Sequence, residues 1–359
     1  MRKMKGIRKT LLFVFVAGCT SPPTQPPPEL PGPVKHVIHI SVDGLRSDAI
    51  TTLGRQNVPN FFRLRDEGAF TDNARTDPEI ANTLPDHASE LTSRPIFGSE
   101  GHGWLINEDP GSPSTLHLLK GEYVPSVFDV VHDSGFSTAL YANKTKFDVF
   151  DRTWNELFGA RDQTGADNGR DKIDTGFIDG DMLRVAREFV TDMGNSDYTY
   201  AFLHFRQPDT TGHASNWDLT PGSDYLNAVV DVDGFLGDIL ALVQSDPELL
   251  DATALIVTAD HAGDLGLDIH LLLPDVGLVD SGIIPFYVWG VSIAAGADLY
   301  ELNPDTRLDP IRSIPSMSAP MQPIRNGDAG NLALQLLGLP AIPNSTINAS
   351  QDITISLTP

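Results

Sequence analysis

The sequence predicts an α/β fold with a mostly parallel central sheet and helices on both faces. Two patterns support this prediction. Short apolar runs of strand length alternate with segments of helical periodicity, as expected when strands are joined by crossover helices. Several of these runs are apolar throughout, which is typical of strands buried on both faces. The chain has 359 residues, which suffices for one large domain or two modest ones.

Five apolar runs are the predicted strands. The first spans Val34–Val42, a β-rich run that ends at Asp43-Gly44. The others are Thr138–Ala142, Thr199–Phe205, Ala254–Thr258 and Ile283–Trp289. Each has a length usual for strands and is separated from the next by residues that favour helices or turns.

The clearest helix lies between Leu226 and Val243, where apolar residues recur at three- and four-residue steps. Shorter helices are predicted at Asn60–Glu67, Ser126–Asp133, Ile178–Thr191 and Asp328–Leu337. Two stretches lack such periodicity. Residues 98–121, rich in Gly, Pro and Ser, are expected to form an active-site loop, and residues 291–326, rich in proline, a second long excursion.

Residues 1–18 have the features of a secretion signal. A positive n-region precedes an apolar run, Leu11–Ala17, that is too short to span a bilayer. The run ends in Val16-Ala17-Gly18-Cys19, which resembles the lipobox of bacterial lipoproteins; the alternative is an ordinary signal peptide with Cys19 there by chance. The resemblance implies cleavage before Cys19 and a lipid anchor on that cysteine. Because Thr20, not Asp, follows, it implies the outer membrane, with the protein in the periplasm or at the cell surface.

The predicted domain organisation has three parts. Residues 1–18 form the signal peptide, and residues 19–33 form the lipidated cysteine and a proline-rich tether in extended polyproline II conformation. Residues 34–359 form a single catalytic domain. No internal repeat and no second linker interrupts it.

The composition excludes several classes of protein. The chain carries 48 acidic and 25 basic side chains, a net charge of −23, and removal of residues 1–18 takes away five basic residues, which leaves −28. Docking on nucleic acid or anionic lipid needs a basic surface, so neither is expected. One cysteine can neither close an intramolecular disulfide nor supply the thiolates of a zinc finger.

Acidic residues and histidines follow three of the predicted strands at the point where each strand ends. They are Asp43, Asp209 with His213, and Asp260 with His261. In open α/β sheets the ligand site lies beyond the carboxyl ends of the strands. For a single aspartate the alternative is a turn or helix cap. Three such ends, two with histidine, favour a site for zinc or a similar divalent ion.

Four motifs occur in one order along the chain. The first two are D-G-x-R, at Asp43-Gly44-Leu45-Arg46, and T-x-P-x-H, at Thr83-Leu84-Pro85-Asp86-His87. Gly101-His102-Gly103 and Asn107 follow the second motif. The last two are P-D-x-x-G-H, at Pro208-Asp209-Thr210-Thr211-Gly212-His213, and D-H-G, which appears here as Asp260-His261-Ala262-Gly263. With these motifs the sequence resembles the alkaline phosphatase superfamily, in particular type I phosphodiesterases and nucleotide pyrophosphatases. The resemblance covers roughly residues 34–338, and Ala262 departs from the usual glycine.

The resemblance implies an alkaline phosphatase-like fold and two divalent ions, with zinc expected. The residues implied for the first ion are Asp43, Thr83, Asp260 and His261. Those implied for the second are Asp209, His213 and His270, the last histidine in the chain. The resemblance also implies catalytic roles for Thr83 and Asn107. Thr83 is the nucleophile that forms a covalent phosphothreonine, and Asn107 donates a hydrogen bond to a non-bridging phosphoryl oxygen.

The leading functional prediction is a metal-dependent hydrolase of phosphodiester or nucleotide pyrophosphate bonds in a phosphorylated small molecule. Thr83 stands where sulfatases carry the cysteine that becomes formylglycine, which argues against a sulfatase. Two alternatives stay open: a phosphomonoesterase or head-group transferase of the same superfamily, and a non-catalytic lipoprotein that binds an anion. Lys144 and Lys146 follow a predicted strand, where they either contact substrate phosphate or lie in a solvated turn.

Overall fold

The computed structural model describes residues 29–162, 169–196, 198–266, 272 and 279–356. Within these ranges the strands form one eight-stranded sheet. The strands are β1 (His36–Val42), β2 (Ala69–Arg75), β3 (Thr138–Ala142), β4 (Thr175–Ile178), β5 (Tyr200–Phe205), β6 (Thr253–Thr258), β7 (Ile283–Gly290) and β8 (Ala297–Asp298). Their order across the sheet is β4-β3-β5-β1-β6-β7-β2-β8.

The sheet is mostly parallel, as the sequence predicts. Strand β1 pairs in parallel with β5 on one side and with β6 on the other. Strand β7 is antiparallel to both of its neighbours, β6 and β2. Because the parallel strands β5, β1 and β6 are adjacent, their carboxyl ends lie side by side at one edge of the sheet.

Helices cover the sheet in two groups. The helices are α1 (Ser47–Leu53), α2 (Pro59–Glu67), α3 (Thr83–Thr92), α4 (Leu116–Lys120), α5 (Val127–Asp133), α6 (Asp148–Thr153), α7 (Met182–Ser196), α8 (Gln207–Ser215), α9 (Asp224–Ser245), α10 (Pro247–Leu250), α11 (Leu299–Leu302) and α12 (Asp328–Leu337). Helices α3, α5 and α12 contact one another, and α1, α2, α7, α8 and α10 pack around the long helix α9. The predicted α/β fold is therefore confirmed.

The long predicted helix is α9, which begins after Ser223. The Ser223 side chain accepts a hydrogen bond from the Leu226 backbone N–H and so caps the helix. Its apolar face, which includes Leu236, Leu240 and Val243, is buried. The predicted loop at residues 98–121 contains one short helix, α4, and the excursion at 291–326 contains β8 and α11.

The predicted signal peptide and Cys19 lie outside the described residues, so their role stays a prediction. Among the residues that the structure describes, no helix has both the length and the apolar character that crossing a membrane requires.

Candidate active site

The ends of three adjacent strands bring their acidic residues together. Asp43 directly follows β1, Asp260 lies two residues after β6, and Asp209 lies in the first turn of α8, after β5. Potential ligand atoms of Asp43, Asp209 and His261 all lie within 4.8 Å of one another, and all three residues are buried. The sheet order therefore assembles residues that lie between 52 and 218 positions apart in the chain.

Asp43 uses only one of its two carboxylate oxygens for hydrogen bonds. Its Oδ2 lies 2.5 Å from Lys144 Nζ and 3.1 Å from His204 Nε2. Its Oδ1 is buried with no hydrogen-bond partner and lies 3.6 Å from His261 Nε2. Burial opposes ionisation, but Lys144, His204 and His261 outweigh it and hold the pKa of Asp43 well below its usual value. Asp43 is therefore a buried carboxylate anion with one open oxygen.

Asp260 has the same division between its two oxygens. Oδ1 accepts hydrogen bonds from the backbone N–H groups of Gly44 (3.1 Å) and His261 (2.8 Å). Oδ2 is buried without a hydrogen-bond partner, 3.3 Å from His261 Nε2. Burial, and next the negative charge of Asp43, raise the pKa of Asp260 well above its usual value.

His261 turns its Nε2 atom toward these open oxygens. Its Nδ1 lies 2.9 Å from the carbonyl oxygen of Ala262, an acceptor, so Nδ1 carries the proton and Nε2 the lone pair. A nitrogen lone pair beside two buried carboxylate oxygens matches the ligand set of a divalent cation. A cation would also compensate the cost of burying unpaired oxygens. The residues of the first predicted metal site therefore fit such an ion.

The structure describes two of the three residues predicted for the second metal site. Asp209 Oδ2 lies 2.7 Å from Lys144 Nζ, and Asp209 Oδ1 lies 3.4 Å from Nε2 of His213, one turn later in α8. Burial and Asp43 oppose ionisation of Asp209, but His213, Lys144 and His261 lower its pKa to about 2. The third predicted ligand, His270, lies outside the described residues.

Thr83 begins helix α3, beside the carboxylates. The preceding residue, Asn82, is extended, so Thr83 lies at the N-terminus of the helix, where the helix dipole favours an anion. Thr83 Oγ1 lies 3.3 Å from Lys144 Nζ. The predicted nucleophile is therefore fixed at a helix N-terminus, next to a cation, where a negative phosphoryl group is favoured.

Asn107 lies next to the nucleophile, in the loop between α3 and α4. Its Oδ1 accepts a hydrogen bond from the backbone N–H of Leu84, the residue after Thr83, at 3.1 Å. Lys146 Nζ also donates to Asn107 Oδ1, at 2.9 Å. With Oδ1 occupied in this way, the Asn107 NH₂ group is the part of the side chain available to donate.

Lys144 and Lys146 belong to this site and not to a solvated turn. Lys144 Nζ bridges Asp43 and Asp209, and the side chain is only 13% exposed. Burial opposes its charge, but the two carboxylates outweigh burial and raise the pKa of Lys144. Burial, and next the charge of Lys144, lower the pKa of Lys146. The sequence alone does not decide between substrate contact and a solvated turn for these lysines, because the local pattern does not show that β3 lies beside β5.

Two buried histidines lie beneath the ligands. His204 Nε2 contacts Asp43, and His87 Nδ1 lies 2.6 Å from the carbonyl oxygen of Thr83. Burial lowers the pKa of His204 to about 4 and places that of His87 well below its usual value. Both imidazoles are therefore neutral near pH 7.

Arg46, the last residue of the D-G-x-R motif, connects two turns of the site. Its guanidinium donates to the carbonyl oxygen of Gly263. Two further bonds, at 2.9 and 2.7 Å, join it to the carboxylate of Asp48. The arginine thus ties the turn after β1 to the turn after β6, which are the segments that carry Asp43 and Asp260.

Comparison with known proteins places this site in a family. The sequence model of the type I phosphodiesterase / nucleotide pyrophosphatase family matches residues 37–265. This span includes the four motifs between Asp43 and Gly263, with Asp43, Thr83, Asp209 and His261. No curated protein matches the sequence significantly.

Solved structures share the fold at low sequence identity. Murine ectonucleotide pyrophosphatase / phosphodiesterase 5, solved as an inactive variant in complex with AMP, is 15% identical with a TM-score of 0.56; the alignment covers 89% of this chain and 99% of that one. The human protein of the same name is 14% identical, with a TM-score of 0.56 and the same coverage. An alkaline phosphatase superfamily protein from Vibrio parahaemolyticus is 17% identical (TM-score 0.54), covering 89% of this chain and 70% of that one.

Proposed function

This chain belongs to the type I phosphodiesterase / nucleotide pyrophosphatase family, a family of phosphoric ester hydrolases, and on that premise we propose that it hydrolyses phosphodiester or nucleotide pyrophosphate bonds through a covalent intermediate on Thr83. The substrate is a phosphorylated small molecule. One family relative in this fold was solved with AMP, which supports a nucleotide as one candidate.

One observation supports the proposal most strongly. Thr83 Oγ1 lies 3.3 Å from the ammonium of Lys144. That ammonium also contacts Asp43 and Asp209, and open carboxylate oxygens remain on Asp43 and Asp260. A hydroxyl at a helix N-terminus, within reach of the Lys144 ammonium, suits attack on an anionic phosphorus centre.

Two divalent ions would be held by the predicted ligand residues. The first set is Asp43, Thr83, Asp260 and His261, and the second is Asp209, His213 and His270. Such ions supply charge neutralisation for the attacking and leaving oxygens of an in-line displacement. The acidic residues at the strand ends would then be neutralised by the ions they hold.

The reaction has two displacement steps. Thr83 Oγ attacks phosphorus; the Oγ–P bond forms as the P–O bond to the leaving group breaks, and the hydroxyl proton ends on the departing oxygen, which leaves as an alcohol from a diester and as a phosphate from a pyrophosphate. Water then adds to phosphorus, the Oγ–P bond breaks, and a proton returns to Thr83. The NH₂ group of Asn107 donates to a non-bridging oxygen as negative charge develops there.

A second candidate, phosphomonoesterase activity, is favoured by the lysine pair. Lys144 reaches Thr83, and Lys146 reaches Asn107. Two ammonium groups at the phosphoryl position suit a dianionic monoester better than a monoanionic diester. Monoester and diester substrates therefore have to be compared directly.

Paired substrates test the proposal. We expect chelator-treated protein to hydrolyse neither bis-p-nitrophenyl phosphate nor p-nitrophenyl phosphate, and zinc to restore activity, with the diester cleaved faster. A faster monoester reaction would favour the second candidate. Fewer than two bound zinc ions per chain with no hydrolysis of either ester would instead favour the non-catalytic anion-binding alternative.

We propose that the mature chain is lipid-anchored through Cys19 and extracytoplasmic. The lipobox-like run and the proline-rich tether support this proposal. A Cys19→Ala variant should then lose lipid labelling and leave the membrane fraction. Unchanged labelling of that variant would exclude Cys19 as the anchor.

A further inference from the structure

His204 is a buried histidine that the proposed chemistry does not use. It lies in β5, fully buried, with its imidazole against the ring of Phe147 (4.2 Å between centroids) and that of His87 (5.0 Å). A histidine in this position that served only to pack could be replaced by an aromatic ring. Its contact with Asp43 indicates more than packing.

The hydrogen bond from His204 has a fixed direction. Nε2 lies 3.1 Å from Asp43 Oδ2, and a carboxylate oxygen only accepts, so Nε2–H is the donor. Nδ1 of His204 then carries the lone pair, and it is buried with no hydrogen-bond partner. Leaving a buried nitrogen without a hydrogen-bond partner is unfavourable. The protein thus retains an imidazole whose buried Nδ1 has no hydrogen-bond partner and whose Nε2 donates a hydrogen bond to Asp43.

The two oxygens of Asp43 have unequal surroundings because of this bond. His204 and Lys144 both donate to Oδ2, whereas Oδ1 has no hydrogen-bond partner and faces His261 Nε2 at 3.6 Å. Lys144 is a long side chain that also contacts Thr83 and Asp209. The His204 ring is buried against Phe147 and His87 and has fewer rotatable bonds than a lysine, so it is the more rigid of the two donors.

We infer that His204 is a positioning residue that selects the ligand oxygen of Asp43. By holding Oδ2, it orients the carboxylate with Oδ1 toward the cation. This inference rests on the proposed function only in that Asp43 binds a metal ion. Outer partners of metal-ligating carboxylates typically change metal affinity by 10- to 100-fold when removed.

Three variants separate positioning from packing. His204→Phe keeps an aromatic ring against Phe147 and removes the donor. In His204→Gln the amide nitrogen can take the place of Nε2. In His204→Asn the shorter amide cannot reach Oδ2. His36→Phe is the matched control, because His36 begins the neighbouring strand β1, at the end away from Asp43, and its Nδ1 contacts the carbonyl oxygen of Tyr198.

The measurement is zinc affinity, determined on chelator-stripped protein by competition with a chromophoric zinc chelator. We expect His204→Phe and His204→Asn to bind zinc 10- to 100-fold more weakly than the wild type. We expect His204→Gln and His36→Phe to stay within about threefold of it. Thermal unfolding of the stripped proteins checks that each variant is folded.

Two outcomes would overturn the inference: wild-type zinc affinity in His204→Phe and His204→Asn, or equal weakening in the Asn and Gln variants. If His204→Phe does not fold, the Asn and Gln pair decides alone. Zinc affinity is measured without substrate, so a wild-type protein that binds zinc but cleaves no phosphate ester would refute the proposed function and leave this inference standing.

Discussion

The Nζ atom of Lys144 lies 2.7 Å from Oδ2 of Asp209, and the same ammonium contacts Asp43 at 2.5 Å. One lysine therefore joins carboxylates from the two predicted metal sites. It also reaches Thr83 Oγ1 at 3.3 Å. A positive group shared between the ligands and the nucleophile lies where the phosphoryl oxygens of a substrate would be bound.

Replacing Lys144 by Met should separate catalysis from metal binding. The variant loses a donor to the phosphoryl group, and we expect kcat/KM for bis-p-nitrophenyl phosphate to fall by about 100- to 1000-fold. Zinc affinity should not weaken, since a competing cation has been removed from Asp43 and Asp209. Lys144→Arg, which keeps the charge, is the control. Strong loss of zinc in the Met variant would show that Lys144 supports the ligands instead.

Replacing Lys146 by Met should change the preference between monoester and diester. Lys146 contacts Asn107, not the carboxylates of the metal sites. A second ammonium group stabilises a bound phosphoryl group most when that group carries two negative charges. We therefore expect kcat/KM for p-nitrophenyl phosphate to fall at least about tenfold more than that for the diester. An equal fall for both substrates would mean that Lys146 acts only by orienting Asn107.

Gly44 offers a stability test with a matched control. A Cβ at Gly44 would lie 2.7 Å from Asp209 Cα, and at Gly54 it would meet nothing within 4 Å. Both glycines have φ near +70° (+71° and +67°). We expect Gly54→Ala to lower the free energy of unfolding by about 1 kcal/mol, the backbone cost alone.

Gly44→Ala should lower the free energy of unfolding by about 1–3 kcal/mol more than Gly54→Ala does, because the new methyl group pushes Asp209 away from the site. Urea unfolding of both stripped variants measures the difference. Gly44→Ala should also bind zinc more weakly than Gly54→Ala. Equal stability of the two variants would mean that the segment around Asp209 moves aside without cost.

Acid should destabilise the protein partly through His102. Burial lowers the pKa of His102 to about 3, against 6.5 in an exposed chain. In the fold, Nδ1 accepts a hydrogen bond from the Trp104 backbone N–H, so it resists protonation. Below pH 6.5 the unfolded chain binds a proton that the folded chain does not. The folded state should then lose about 1.4 kcal/mol per pH unit from this residue as the pH falls toward 3.

Urea unfolding of stripped protein between pH 7 and pH 5 measures this loss. His102→Gln, which can still accept a hydrogen bond, should unfold with a shallower dependence on pH than the wild type. His36→Gln, at the partly exposed start of β1, controls for the removal of a histidine. The same pH slope in wild type and His102→Gln would contradict the prediction.

The apolar runs predicted five strands because these strands are buried along most of their length. The structure places strands β1, β3, β5, β6 and β7 at those runs, within two residues at each end. Strand β2 was missed because its sequence, AFTDNAR, is half polar, and β4 and β8 are four and two residues long. The helix predicted from Ile178 begins instead at Met182, since Ile178 ends β4 and Asp181 bonds the Leu183 N–H.

The site residues that the sequence could predict are those that belong to a motif and follow a strand. Asp43, Asp209, Asp260 and His261 belong to motifs, and the sheet order brings them together. Lys144 has no such signal. Its place depends on β3 lying next to β5, a long-range pairing that no local pattern encodes. The hydrogen bond between His204 and Asp43 likewise depends on register across two strands.

The proposed mechanism depends on the hydroxyl group of Thr83. Removing its hydroxyl should abolish the covalent step, and we expect Thr83→Ala to lose at least about 1000-fold in kcat. Zinc should remain bound in the Ala variant through the carboxylates and His261. Thr83→Ser retains a hydroxyl and should keep measurable activity. Acid quenching during turnover, followed by peptide mass spectrometry, should find phosphate on Thr83 in the wild type and none in Thr83→Ala. Full activity in Thr83→Ala would exclude Thr83 as the nucleophile.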